Sequence, residues 1–371
     1  MKTIFISIPW FTPAYKAGGP VQSIANMVQE LNEGYRFYIY CSNEDLDGLP
    51  IDVTGTNQWL WFNDYTMVWY ARKESRGQGL MREIKKIKPD YLYMVGIYSW
   101  QFTIVPLYFT KVRKKIVSVR GMLHPGALGE KALKKKIFLK LMHWMQFQKK
   151  AVFHVTDARE REHVTSMLGA AVKVYEAGNF PRRLPAFELP KKYAGSLRLI
   201  SIALLSPMKN ILLVLQALQQ CRAELLYDIY GPVKEPHYWA ECLQQIKLLP
   251  SNVTVQYHRE VLPQEVAGKL AHAQVFILPS KSENFGHSIY EALSAGLPVI
   301  SSGFTPWNGL KQEMAGLNVE TTMEEVGEAI KFFAAMDNEA FLKWRHGATT
   351  YAEKRLDMNG LKEAYAVMFD L

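Results

Sequence analysis

The chain has 371 residues, too many for one comfortable hydrophobic core, and its 49% hydrophobic and 21% charged residues exclude a disordered polymer. The balance of 44 Lys and Arg against 35 Asp and Glu favours anionic partners, namely phosphates, nucleic acid or an anionic membrane face. Cys41, Cys221 and Cys242 are odd in number and lack CxxC spacing, which excludes a disulfide framework or structural zinc and favours a reducing cytoplasm.

Short apolar runs alternate with helical patterns from the start, the mark of α/β layering with parallel sheets. The first run, IFISI at 4–8, stops at Pro9, and no later run approaches the ~18 apolar residues of a membrane span. Strands are predicted at 3–8, 36–40, 91–95, 115–119, 151–155 and 172–175. The rhythm restarts after a Pro-rich crossing, NFPRRLPAFELPKKYAGS at 179–196, with strands at 197–203, 225–230, 253–258, 274–279 and 298–302. This predicts two doubly wound, Rossmann-like α/β domains facing each other across a cleft at the crossing.

In chain order, the first feature with chemical potential is Gly18-Gly19-Pro20, between the first strand and a helix. Paired glycines allow close backbone approach to a ligand, and the helix start offers N–H groups to an anion; a plain tight turn is the other reading. Asp45-Leu46-Asp47 resembles a metal-binding DxD but follows the second strand, so it reads as a surface turn. Residues 131–150 hold seven lysines, no acid, and apolar residues at three- and four-residue spacing. They form either a helix that docks on an anionic membrane or an ordinary helix whose stripe is core. No zinc-finger spacing or aromatic RNA-binding motif accompanies them, so nucleic acid is not expected as a partner.

The richest segment is SENFGHSIYEALSAGLPVI at 282–300, followed by TPW. A buried strand ends near Pro279, so Glu283 falls in the loop and Glu291 about one turn inside the next helix, which starts near Gly286 and His287. Asn284-Phe285-Gly286 would turn backbone N–H groups toward a phosphate, with one acid on either side to take sugar hydroxyls. Such a mouth suits a nucleotide sugar. Glu291 also fits as a plain acid near a helix start. Trp307 is expected to pack this loop, and His154 to be a satisfied strand histidine.

This segment resembles that of the family-4 retaining glycosyltransferases, which have the GT-B fold. The loop at 18–20, VRGMLHPGAL at 119–128, HVTDAREREHV at 154–164, LLSPMKN at 204–210 and YDIYGPVKEPHYW at 227–239 agree in order. The resemblance implies an acceptor-side domain over 1–180, a nucleotide-sugar domain over 181–354, and a C-terminal helix at about 355–371 that crosses back. It implies that Glu283 contacts donor-sugar hydroxyls and Glu291 the ribose. Backbone at Phe285, Gly286, Ser288 and Ile289 would cradle sugar and diphosphate, with His287 beside the donor. Lys209 would neutralise the leaving diphosphate, Gly19 would approach the donor, and Arg120 or His124 would face the sugar.

Two positions depart from the family. Leu204 stands where an Arg usually precedes the Lys by five, so Arg259, Lys281 or Arg120 would have to replace its charge. Arg259 itself stands where a Gly often follows His258. The implied enzyme is a cytoplasmic, retaining, metal-independent hexosyltransferase, peripheral at the inner membrane face and needing no cofactor. Its donor would be a UDP- or GDP-sugar, and its acceptor a glycan or lipid-linked saccharide in polysaccharide or lipopolysaccharide synthesis. The alternatives are a GT-B nucleotide-sugar epimerase and a catalytically weak donor-binding homologue.

Overall fold

The computed structural model describes residues 1–123, 138, 140–185, 187–188 and 190–370. The chain divides into two compact units, Met1–Phe180 with Met358–Leu371, and Pro181–Asp357.

The first unit opens with β1 (Lys2–Ser7), α1 (Gly19–Glu30), β2 (Tyr35–Ser42), β3 (Trp59–Asn63) and β4 (Thr66–Ala71). It continues through α2 (Arg76–Ile87), β5 (Tyr91–Val95), α3 (Val105–Phe109) and β6 (Lys114–Ser118). β7 (Val152–Val155), α4 (Ala158–Leu168) and β8 (Val174–Glu176) follow. The eight strands order as β3-β4-β2-β1-β5-β6-β7-β8, and every neighbouring pair is parallel except β3–β4. The β3–β4 hairpin is absent from the sequence reading. β3 sits at the sheet's edge with no buried position and Trp61 exposed, so no apolar run marks it, whereas β4 is buried at all but one position.

Alternation along β1 sends Ile4 and Ile6 to one face of this sheet and Phe5 to the other, and each face carries its own core. The first face is covered by Ile24, Met27 and Val28 of α1 and by Tyr365, Met368 and Phe369 of the C-terminal α11 (Met358–Phe369). The Tyr365 ring stacks on Phe180 at 5.1 Å, and Phe369 meets Tyr91 edge-on at 5.5 Å. Of the basic stretch, Met142 is fully buried in the second core while Trp144 is exposed; most of 131–139 lies outside the described residues.

The second unit runs β9 (Ser196–Ile202), α5 (Ile211–Leu218), β10 (Glu224–Tyr230), α6 (Pro236–Ile246) and β11 (Val253–Tyr257). Then come α7 (Val266–Leu270), β12 (Val275–Leu278), α8 (His287–Ser294), β13 (Val299–Ser302) and β14 (Gly316–Val319). α9 (Met323–Ala335) and α10 (Asn338–Lys354) close it. Its six strands are all parallel, ordered β11-β10-β9-β12-β13-β14. β12 and β13 are buried at every position, as expected for strands covered by helices on both faces. β14 begins with a glycine and is buried only at its two ends, so no apolar run marks it in the sequence. No helix among the described residues is long and apolar enough to cross a membrane.

Candidate functional site

The second sheet has one switch point. From β9 the chain moves outward through β10 and β11, then returns to lay β12 on the other side of β9. Loops leaving the carboxyl ends of β9 and β12 therefore part in opposite directions and open a crevice, where ligands of open α/β sheets bind. These two loops carry Lys209 and Glu283.

The loop after β9 makes a 3-10 turn at Pro207–Lys209 and ends on Asn210, whose left-handed backbone starts α5. Two hydrogen bonds tie it to the loop after β12: Asn210 Nδ2 donates to the Pro279 carbonyl at 3.2 Å, and the Lys281 N–H to the Met208 carbonyl at 2.8 Å. Lys209 and Glu283 thereby meet, Nζ to Oε1 at 2.6 Å. Ser280 Oγ donates to the same oxygen at 2.8 Å, so Glu283 is held from two sides. Both side chains are mostly buried, which strengthens their attraction.

The turn before α8 is equally constrained. Gly286 caps the helix at φ 77° and ψ 60°, and a Cβ there would lie 3.1 Å from Ile289 Cδ1 and 3.3 Å from Trp307 Nε1. Trp307 packs the loop as expected: its indole N–H donates to the Phe285 carbonyl at 2.5 Å, and its ring meets Phe285 edge-on. The His287 ring lies 4.7 Å from Phe285. His287 and Ser288 form the first turn of α8, and the N-terminal end of a helix favours an anion. Ile289 differs, since its N–H already donates to Gly286 and its side chain is core.

Glu291 lies one turn further on, 5% exposed, facing a different partner. Arg182 Nη2 stands 2.7 Å from Oε1. Burial pushes the Glu291 carboxyl up to about 7, and the attraction of Arg182 only partly offsets it. Arg182 was invisible in the sequence as a site residue. It lies in the Pro-rich crossing, 109 positions before its partner, and no spacing rule joins them.

The cations proposed to replace the missing charge at Leu204 fall in different places. Leu204, half-buried, lies two residues past β9. Arg259 is exposed, two residues past β11, in the left-handed region at φ 59°, with its carbonyl accepting from Gly231 at 2.5 Å. The family's preference for Gly here has a physical reason, because left-handed backbone strains a residue with a Cβ. Gly231 is equally forced, since a Cβ there would collide with the Ala203 carbonyl. Lys281 is exposed beside the Lys209 loop.

Arg120 is the correction. It follows β6 as expected, but its guanidinium is buried inside the first unit. It donates to Tyr93 Oη at 3.0 Å and to Asn179 Oδ1. Tyr93 in turn bonds His154 Nδ1 at 2.6 Å, and His154 Nε2 faces the Ala177 carbonyl at 2.8 Å. Burial and the charge of Arg120 push His154 down to about 3. Glu160 accepts from Thr156 N–H and Oγ and from Gly121 N–H. This guanidinium is committed to partners inside its own unit, rather than left for a ligand as expected. The Asp45–Asp47 segment is a surface turn, with Leu46 and Asp47 exposed; Asp45 alone is buried and accepts from the Lys16 N–H at 3.2 Å. His124 lies outside the described residues. Gly19 opens α1 in the first unit, exposed, with open space where a Cβ would point.

Residues 187–340 match the sequence profile of the family described as glycosyl transferases group 1. No curated protein matches the chain. Among solved structures it is similar to sucrose-phosphate synthase from Thermosynechococcus elongatus, at 13% identity and TM-score 0.74, covering 100% of this chain and 98% of that one. It is also similar to Anabaena HepE in complex with UDP and glucose, at 16% identity and TM-score 0.69 over 100% of both chains. WaaG, a glycosyltransferase involved in lipopolysaccharide biosynthesis, matches at 12% identity and TM-score 0.64 over 99% of both. The chain shares the GT-B fold of these structures, and its residues 187–340 carry the match to the group 1 glycosyl transferases.

Proposed function

We propose that the chain is a retaining, metal-independent hexosyltransferase that moves a sugar from a nucleoside diphosphate to a glycan or lipid-linked acceptor. The observation that carries this reading is the Lys209–Glu283 pair at the switch point, in the loops that precede α5 and α8. A diphosphate at the first turn of α8 would meet Lys209, whose charge offsets the negative charge that builds on the leaving oxygen. Glu283 would take donor-sugar hydroxyls, and Glu291 the ribose.

Retention would follow from front-face substitution, in which the leaving diphosphate helps remove the acceptor proton and no enzymic nucleophile attacks. Lys209 supplies the charge a metal would otherwise bring. EDTA should therefore leave turnover unchanged; loss of activity restored by manganese would sink metal independence. UDP is the favoured nucleotide, because HepE was solved with UDP and with UDP-glucose. The biosynthetic role of WaaG favours a lipopolysaccharide or polysaccharide acceptor, and the lysines of 131–150 favour work at the inner face of the membrane.

A thermal-shift screen of UDP-, GDP-, ADP- and dTDP-sugars tests the donor reading, since a ligand bound only by the native state raises the midpoint. The UDP-sugars should give the largest rise; no rise with any nucleotide sugar would refute the reading. Leu204 favours one competing reading, donor binding with weak turnover. Calorimetric binding without product on any acceptor would select it.

A further inference from the structure

Arg182 uses one guanidinium to join two segments of the second unit. Besides its contact with Glu291 on α8, its Nη1 donates to the Pro263 carbonyl at 2.8 Å, in the loop after β11. In sheet order the ends of β10 and β9 lie between that loop and the strand preceding α8, so the guanidinium braces both flanks of the switch-point crevice. Neighbouring cations are committed elsewhere. Arg183 pairs with Glu353, and Arg345 donates to the Phe187 carbonyl at 2.5 Å and to the Gly296 carbonyl at 3.4 Å. Among the described residues, Arg182 is the charge that acts on Glu291.

We propose that Arg182 is a positioning residue of the donor site, holding the Glu291 side chain in place and charged so that it accepts the vicinal hydroxyls of a ribose. This rests on the nucleoside-diphosphate reading above. A carboxylate accepts hydrogen bonds from two hydroxyls, whereas a protonated carboxyl gives up part of that capacity. Burial drives Glu291 toward the neutral form, and the adjacent guanidinium opposes it. The sign follows directly. Glu291 is ionised above its midpoint near 7, so ribose recognition strengthens as pH rises through that midpoint. Loss of the Arg182 charge carries the midpoint higher.

The test has two arms. The Glu291 carboxyl is titrated in the nucleotide-free protein by carbon-13 NMR of labelled glutamate, assigned by Glu291→Gln. Arg182→Gln should raise its midpoint by about one pH unit or more, and Arg182→Lys, which keeps the charge, should largely restore it. In the second arm, UDP and 2′,3′-dideoxy-UDP are bound between pH 6 and 8. Both probes carry the same ionising phosphates, but only UDP offers the diol. Arg182→Gln should displace the pH curve of UDP upward, with affinity at pH 7 lowered about tenfold, and leave the dideoxy probe nearly unaffected. An unmoved carboxyl midpoint overturns the proposal, as does equal weakening of both probes, which would mark a purely structural arginine. A shifted midpoint in a protein that binds no nucleoside diphosphate would instead sink the donor reading and the ribose role with it.

Discussion

Two buried charge clusters, one in each unit, use similar side chains to opposite ends. Around Arg120, the first unit closes every charge on itself: Tyr93, Asn179, His154 and the Ala177 carbonyl form one chain of contacts that ties β5, β6 and β7 to the segment leading out of β8. Around Lys209, Glu283 and Glu291, the second unit gathers its charges at the carboxyl edge of the sheet, on loops and a helix start rather than inside strands. The first arrangement can only stabilise. The second sets its charges beyond the strand ends, where open α/β sheets bind ligands, and Arg182 opposes the tendency of buried Glu291 to neutralise. A basic residue just past a strand therefore means little until its burial and partners are known.

The sharpest break of this contrast is Arg120→Leu. Removing one member of a buried polar network leaves the others unpaired, at about 3 kcal/mol or more of unfolding free energy. Urea unfolding should show this loss. Unchanged stability with lost turnover would place Arg120 with the ligand-binding cluster instead. Lys209→Ala is the mirror experiment: kcat should fall about 100- to 1,000-fold, some 3–4 kcal/mol of barrier, with a smaller loss of stability than Arg120→Leu because Ser280 still donates to Glu283. Normal turnover would remove Lys209 from the proposed role.

Acid offers a graded probe of the closed cluster. His154 is neutral in the folded state with a value near 3, while the unfolded chain takes a proton near 6.5. The stability this contributes is present above about pH 6.5 and is lost as pH falls toward 3, by roughly 1.4 kcal/mol per pH unit. A stability profile flat between pH 6 and 4 would contradict this. Smallest of all is Arg259→Gly, which relieves a left-handed residue and should stabilise the fold by about 1 kcal/mol. If Arg259 carries the charge missing at Leu204, the same substitution should weaken UDP binding; a gain in stability with unchanged binding would leave Lys281 as the candidate.

Much of this was legible in the chain itself. Strands such as Tyr91–Val95 and Val299–Ser302 are short apolar runs between turn signals, and parallel burial leaves such runs no other place to go. The turn at Gly286 and the loop position of Glu283 follow from local rules, because a left-handed cap and a strand end are written within a few residues. The hairpin of β3 and β4 escaped: β3 has no buried position to mark it, while β4 is as buried as the strands that were legible.

Sequence alone determined the α/β layering, the restart after the Pro-rich crossing and the residue types at the helix mouth, because each is encoded over neighbouring positions. Only tertiary structure decided which charges meet. Lys209 reaches Glu283 across 74 positions because β9 and β12 are neighbours in the sheet, and Arg182 reaches Glu291 across 109. Burial of Arg120, which turned a candidate ligand group into a structural one, was settled the same way. Pairing and desolvation depend on what the fold brings near, and no local spacing carries that information.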